Sequence, residues 1–531
     1  MHKKVFRTYL KNILLPCFVF SLIAGAFTGA IVIAFKAITG KVIEFSQEIY
    51  AFLRHNPIFL LVAIVAIVII AFILRKIHKI APESKGGGIA NAVAYLRGLV
   101  TFKWLRTLLG VLFSSLFTFL IGVPLGNEGP CVLAGATVSR GVVNAFGKKN
   151  KAWDRYVMTG GACAGFSAAT NAPVSGVLFA LEEAHHRLSP MLIMVAGATV
   201  SFTMITVEVL SSLLGVDTVL FPHLAPLTLQ VKDLWLPLII GVASGAFSVL
   251  YVKFFKVLRK TINKKIKNGG RTLVIILIFL LTLIFGVFSS NFISTGHHLV
   301  ESILSSPATP LYALLCILLV RFILTSSSAG IALTGGTFVP TLAFGALVSA
   351  CISQILIHFG VIDQYYHQVI VLLGMTACFS GMTKTPLTAI TFAFEALSLS
   401  SNLLPVLIVS IISYIISEIF CPHSANDEIM EMRIEEENRG KTARLIDAVI
   451  EIKEGSFATG KQIRDILWPS NLFVLSVRKS NSIHVDEHGE KNLNPGDKLH
   501  VRYSTFDCEK TKIDLFAIVG EQEYQENAWI E

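Results

Sequence analysis

Charge is scarce in this sequence: Asp, Glu, Lys and Arg together make up 15% of 531 residues, against 53% hydrophobic residues. That balance excludes an ordinary soluble globular chain. The usual signatures of metal and redox sites are missing too. None of the eight cysteines (Cys17, Cys131, Cys163, Cys316, Cys351, Cys378, Cys421, Cys508) belongs to a C-x-x-C pair, which argues against a zinc site or a disulfide framework. They read as small apolar packing residues. His185 and His186 are adjacent, so a helix points them in different directions, and no H-E-x-x-H accompanies them; they do not make a metal site. No nucleophile with a paired base and no phosphate loop stands out, so a membrane-embedded enzyme is set aside and no cofactor is expected. The net charge of +10 does not require a nucleic-acid partner, because cytoplasmic loops of membrane proteins carry such an excess.

What the chain does have is apolar length. Mean hydropathy is +0.67, and residues 14–35 and 58–74 each approach the roughly 20 apolar positions that cross a lipid bilayer as helix. Comparable runs recur as far as Phe420, giving an all-α polytopic membrane protein. Lys3, Lys4, Arg7 and Lys11 resemble the basic start of a signal peptide. The run that follows is too long and ends in no clear cleavage site, so it reads as a retained first helix with a cytoplasmic N-terminus.

The apolar region repeats itself. Residues 166–182 (FSAATNAPVSGVLFALE) and 379–395 (FSGMTKTPLTAITFAFE) share seven of seventeen positions at an offset of 213, and Gly126 to Pro130 stands at an offset of 210 from Gly336 to Pro340. A shared Pro and Glu are not the matches that chance produces between greasy segments. Internal duplication is a common way for transporters to set a binding site between pseudo-symmetric halves, using helices that stop inside the membrane. Three Gly-rich breaks suit such helix starts: Gly86-Gly87-Gly88-Ile89-Ala90, Gly126-Asn127-Glu128-Gly129-Pro130 and Gly335-Gly336-Thr337-Phe338-Val339-Pro340. A helix N-terminus offers unpaired N–H groups and about half a positive charge, so it holds an anion without Lys or Arg. Glu128, a carboxylate between two glycines in an apolar chain, is a functional residue by default.

Taken together, these motifs resemble the CLC family of chloride channels and chloride/proton antiporters, over roughly residues 10–430. The family pattern G-S-G-I-P appears as Gly86 to Ala90, G-R-E-G-P as Gly126 to Pro130, and G-G-x-F-x-P as Gly335 to Pro340. The resemblance implies a homodimer with one anion pathway per subunit, built from two inverted repeats of tilted and broken helices. It implies that Glu128 is the gating glutamate, competing with the anion while ionised and swinging away when protonated. Anion contacts fall on Gly87, Gly88, Ile89, Asn127, Gly129, Thr337, Phe338 and Asn426, the last standing nearest the family's inner tyrosine, with Ser424 as a rival. Glu183 matches the proton-relay glutamate of the antiporters, although spacing alone makes it a solvated acid at a helix end. Glu182 aligns with Glu395 in the repeat and reads as a structural acid. Three departures bear on selectivity and coupling. Gly87 replaces the family's serine, no tyrosine follows Phe420, and Asn127 replaces arginine. Asn127 resembles the fluoride-exporting branch, which has Met where this chain has Gly87. Chloride/proton exchange is the expectation; a passive channel, a fluoride/proton antiporter and nitrate as transported anion stay open.

After Phe420 the composition changes. Residues 1–422 form the membrane domain, 423–446 a charged helical connector and 447–531 a small cytoplasmic α/β domain. Its strand-like runs are 448–452, 472–477, 499–503 and 516–519, with Asn494-Pro495-Gly496-Asp497 as a turn. The order of Glu454-Gly455-Ser456, Gly460-Lys461, Leu472 to Arg478 and Pro495-Gly496-Asp497-Lys498-Leu499 resembles the TrkA-C (RCK-C) module of potassium-uptake proteins. That resemblance implies dimerisation and a small-molecule ligand, cyclic dinucleotides included. A plain dimer clamp is the alternative. A bacterial plasma membrane is the expected location.

Overall fold

The computed structural model describes residues 15–146, 148–186, 189–221, 224–265, 270–305, 309–480, 485–486 and 492–522. The basic segment holding Lys3, Lys4, Arg7 and Lys11 lies outside them. Among the described residues, eight helices are long and apolar enough to cross a membrane, which makes this a multi-pass membrane protein.

The first half comprises α1 (Leu15–His55), α2 (Leu60–Ile80), α3 (Ile89–Leu96), α4 (Trp104–Leu120), α5 (Glu128–Ala145), α6 (Asp154–Thr170), α7 (Pro173–Phe179) and α8 (Pro190–Leu214). The second comprises α9 (Trp235–Lys265), α10 (Gly270–Phe288), α11 (His297–Ser305), α12 (Leu311–Gly330), α13 (Phe338–His358), α14 (His367–Thr383), α15 (Pro386–Ala396) and α16 (Leu403–Phe420). α1 continues twenty residues past the apolar run that ends at Phe35. Its polar residues turn inward there: Thr39, Ser46 and Tyr50 are buried, and Tyr50 Oη donates to the Ile121 carbonyl at 2.7 Å.

Equivalent positions of the two repeats meet. Glu182 accepts from the amides of Leu387 and Thr388 at 3.0 and 2.8 Å, at the start of α15. Glu395 accepts from Val174 and Ser175, both at 2.8 Å, at the start of α7. Ser175 Oγ donates to the carbonyl of Thr388, 213 residues away. Each half thus supplies the carboxylate that satisfies the other half's exposed helix amides, and the structural role expected of Glu182 is what the hydrogen bonds display. Packing repeats as well: Gly135 lies on Gly161 between α5 and α6, and Gly345 on Gly374 between α13 and α14, each pair too close to admit a Cβ. Helices in lipid associate through such small-residue contacts.

Past α16, Ser424 caps α17 (Ala425–Glu437) in a reciprocal box with Asp427. An antiparallel sheet follows in the order β1-β4-β2-β3, from β1 (Arg444–Glu451), β2 (Leu472–Arg478), β3 (Val485–Asp486) and β4 (Lys498–Thr505). β1 pairs with β4 from Arg444↔Thr505 to Glu451↔Lys498. The expected turn is present, with the Asn494 amide donating to Asp497 Oδ2 at 2.8 Å. The expected strand at 516–519 is not: these residues end α18 (Cys508–Val519), whose start is capped by Asp507 and which packs Leu515, Ile518 and Val519 under the sheet. Four apolar residues in a row do not distinguish strand from buried helix; the cap upstream decides it.

Candidate functional site

Three helix starts meet where the Gly-rich loops are tied together. α3 begins behind Gly88, α5 behind Asn127 and α13 behind Thr337, and none of these residues caps its helix through a side chain. Gly126 and Gly336 exchange both backbone hydrogen bonds at 2.6 Å, while Gly86 donates to the Ala332 carbonyl at 2.9 Å and accepts from Gly335 at 3.4 Å. Side chains would prevent this approach: a Cβ on Gly88, whose φ is +75°, would collide with the Gly129 carbonyl, and one on Gly129 with the Gly87 carbonyl. Gly87, Gly88, Ile89, Asn127, Gly129, Thr337 and Phe338 therefore come together from both halves of the chain. The amide of Ile89 donates to Gly87 at 2.9 Å. Pro130 and Pro340 stand in the first turns of α5 and α13, where a missing N–H costs nothing. Uncapped amides at the positive ends of helices suit an anion.

Glu128 is fully buried, and neither carboxylate oxygen has a hydrogen-bond partner among the described residues. Its side chain folds back over the loop, where a Cβ on Gly126 would run into Oε2. The ammonium of Lys36 is within electrostatic reach of it. Lys36, on α1, donates to the carbonyls of Ala169 and Thr218 at 3.3 and 3.4 Å. Sequence reasoning passed over it; a lone lysine within a long apolar helix was the available signal.

Phe338 sits in an aromatic cage. Its ring meets Phe379, Phe392 and Phe166 edge-on at 4.8, 5.1 and 5.2 Å, and Phe166 stacks on Phe179 at 5.3 Å. Phe166 and Phe379 are repeat equivalents, as are Phe179 and Phe392, so the identical phenylalanines of the internal alignment line one site. Apolar walls strengthen the electrostatic interactions of whatever lies at the amides.

Glu183 is buried, unlike the solvated acid its spacing suggests. It sits on a π-helical turn, Ala180–Ala184, and accepts from Asn426 Nδ2 at 3.0 Å. Asn426, expected beside the anion, thus turns its side-chain amide to the inner acid. Ser424, its rival, uses its hydroxyl in the α17 cap. Arg97 pins the turn by donating to the carbonyls of Glu183 and Ala184 at 2.9 and 2.8 Å. His185 bonds Thr159 at 2.8 Å and His186 bonds Arg97 at 2.6 Å.

A family model described as voltage gated chloride channel matches residues 66–418. The H(+)/Cl(-) exchange transporter ClcA of Vibrio vulnificus (strain YJ016) is 28% identical over 351 residues, covering 65% of this chain and 73% of that protein. ClcA of Vibrio parahaemolyticus serotype O3:K6 is 27% identical over 376 residues, covering 68% of this chain and 77% of that protein. Among solved structures, a slow cyanobacterial Cl-/H+ antiporter superposes with a TM-score of 0.70 at 21% identity, covering 80% of this chain and 99% of that one. A CLC-type fluoride/proton antiporter gives 0.63 at 19% identity, covering 78% and 98%. Likeness at such identities speaks for the fold alone. The match of the family model over most of the apolar region, on top of three Gly-rich loops knotted at one point, places this chain in the voltage-gated chloride channel family.

Proposed function

We propose that the protein exchanges chloride for protons across a bacterial plasma membrane, as a homodimer with its C-terminal domain in the cytoplasm. The observation that carries this reading is Glu128, a buried carboxyl whose oxygens have no hydrogen-bond partner among the described residues, at the meeting point of uncapped helix amides. A carboxylate and a halide seek the same N–H donors, and two negative charges in one apolar site repel, so protonation of Glu128 and entry of the anion are linked. Gly87, Gly88, Ile89, Asn127, Gly129, Thr337 and Phe338 frame the anion path. Glu183, buried and held by Asn426, is the inner proton relay, which favours exchange over a passive channel.

The test uses liposomes loaded with chloride under an imposed proton gradient. The wild-type protein should drive chloride uphill, whereas Glu128→Gln should pass chloride with no proton movement. Proton pumping that persists in Glu128→Gln would contradict the role given to this residue. Asn127 supports a second reading, fluoride/proton exchange, since it resembles the fluoride-exporting branch. Running chloride, fluoride and nitrate side by side decides it: uphill fluoride with negligible chloride would replace the chloride reading.

The tail is a TrkA-C-like regulatory module that responds to a small ligand. Its support is the antiparallel sheet backed by α18, with the Asn494–Asp497 turn before β4.

A further inference from the structure

Thr334, fully buried, stands directly before Gly335, and its hydroxyl is the centre of a hydrogen-bond cluster. Thr334 Oγ1 donates to the Ser84 carbonyl at 2.8 Å, receives a hydrogen bond from Ser114 Oγ at 2.9 Å and lies 2.9 Å from His78 Nε2. A hydroxyl has a single proton, which here goes to Ser84, so the histidine nitrogen is the donor of that pair by elimination. The oxygen is saturated. His78 stands in the last turn of α2 and Ser114 on α4, while Ser84 precedes Gly86 by two residues. One side chain from the second half of the chain therefore holds two helices and a Gly-rich loop of the first.

The packing around this cluster is equally close. α4 approaches through Gly110, where a Cβ would collide with that of Ala81 and press on Ser84, and Ser84 Oγ donates to the Ala81 carbonyl at 2.7 Å. Gly335 rests on Leu125, which leads into Gly126, again too closely to admit a Cβ. Thr334 and Gly335 thus bear on the approaches to all three Gly-rich loops. The stretch 86–89 reads Gly-Gly-Gly-Ile, so it offers an anion only backbone donors. Without a polar side chain that can re-orient, discrimination between anions depends on how rigidly these amides are spaced from those of Thr337 and Phe338.

We propose that Thr334, held by His78 and Ser114, is a positioning residue that sets anion specificity. By fixing residues 84–88 against 335–338 it sizes the backbone cradle for a small spherical halide in preference to a larger planar oxyanion such as nitrate. The inference rests on the anion path assigned above and adds to it a residue that acts through the loops rather than on the anion. Thr334→Val keeps the shape of the side chain but leaves the Ser84 carbonyl, Ser114 and His78 without this partner in a buried setting. Thr334→Ser keeps the hydroxyl.

Uptake of radiolabelled chloride into liposomes carrying the full-length protein, competed with unlabelled chloride and with nitrate, tests the assignment. The wild type should favour chloride. Thr334→Val should lower that preference about fivefold, the factor that one lost hydrogen bond represents, and through the KM for chloride rather than the maximal rate. Thr334→Ser should hold the preference within about twofold of wild type. Ser114→Ala removes one arm and keeps the bond from Thr334 to Ser84; it should shift the preference in the same direction, and it decides the matter if Thr334→Val does not fold. A wild type indifferent between chloride and nitrate, an unchanged preference in Ser114→Ala or in folded Thr334→Val, or a loss of rate with the preference intact overturns the proposal. The competition needs no proton gradient, so a wild type that moves no protons would remove the exchange reading and leave this one standing.

Discussion

The side-chain amide of Asn426 donates to Glu183 in a buried setting, where removing the partner of a charged or polar group costs about 1–3 kcal/mol. Asn426→Ala should therefore slow proton delivery by roughly tenfold while anion passage is less affected, raising the number of chlorides moved per proton. Flux of both ions from liposomes measures this; an unchanged ratio and rate would remove Asn426 from the proton path. Another buried cation, Lys461 in the tail, makes a prediction about stability. Burial lowers its pKa from 10.5 to about 8, while its ammonium donates to the Phe457 carbonyl and lies 3.8 Å from the Phe457 ring centre. Between these two pKa values the unfolded tail binds more protons than the folded one, so folding gains stability as pH rises through that window. At pH 7 both states are protonated and the full penalty applies, on the order of 3 kcal/mol before the carbonyl and ring contacts offset part of it. Lys461→Met should thus protect β1 and β4 from hydrogen exchange at pH 7. The advantage should shrink above pH 8 and vanish near 10.5. A variant less protected than wild type at pH 7 would mean that the ring and carbonyl contacts dominate.

At the scale of elements, the crossed carboxylates are the most consequential packing feature. Glu182 holds the start of α15 and Glu395 the start of α7, each with charge-assisted bonds worth about 1.5–3 kcal/mol. Glu182→Ala or Glu395→Ala should each lower the unfolding temperature of the detergent-solubilised protein by several degrees. If neither substitution moved the transition, the crossed caps would not be stabilising. Glu182 and Glu395 were legible in the sequence because duplication preserved them together with the four cage phenylalanines, and the Gly-rich loops were legible because the backbone contacts they make exclude any Cβ. Asn426 was legible by position but not by partner, since nothing in the local pattern says that a residue at the start of α17 reaches an acid 243 positions earlier. The last helix of the tail was misread for a local reason: four apolar residues outweighed the Asp507 cap that begins it. Lys36 and Arg97 went unmarked because isolated basic residues carry no periodic signal, and their importance arises only from the carbonyls that folding brings to them.

For the whole molecule, the question is how tightly the tail and the membrane domain are joined. Tyr156 Oη donates to the Asp465 carbonyl at 2.6 Å and accepts from the Leu467 amide at 2.8 Å, and Lys151 pairs with Asp514 at 2.7 Å. Leu467 packs with Trp153 and Tyr156 against α1, and Phe457 meets Trp153 edge-on at 5.6 Å. The joint thus falls on the first turn of α6, whose far end carries Phe166 of the aromatic cage. Because α6 is one rigid element between the tail and the anion path, loosening its foot should change turnover without dismantling the site. Tyr156→Phe removes two hydrogen bonds of about 1 kcal/mol each, and should raise hydrogen exchange at residues 465–468 while chloride/proton exchange persists at an altered rate. Deleting residues 447–531 removes every acceptor that Arg155 and Tyr156 use on the tail. The truncated protein should still exchange chloride, since the packed core around Phe338 lies within the membrane helices and α17, but at a different rate. Identical flux in the truncated protein would show that the tail does not regulate transport.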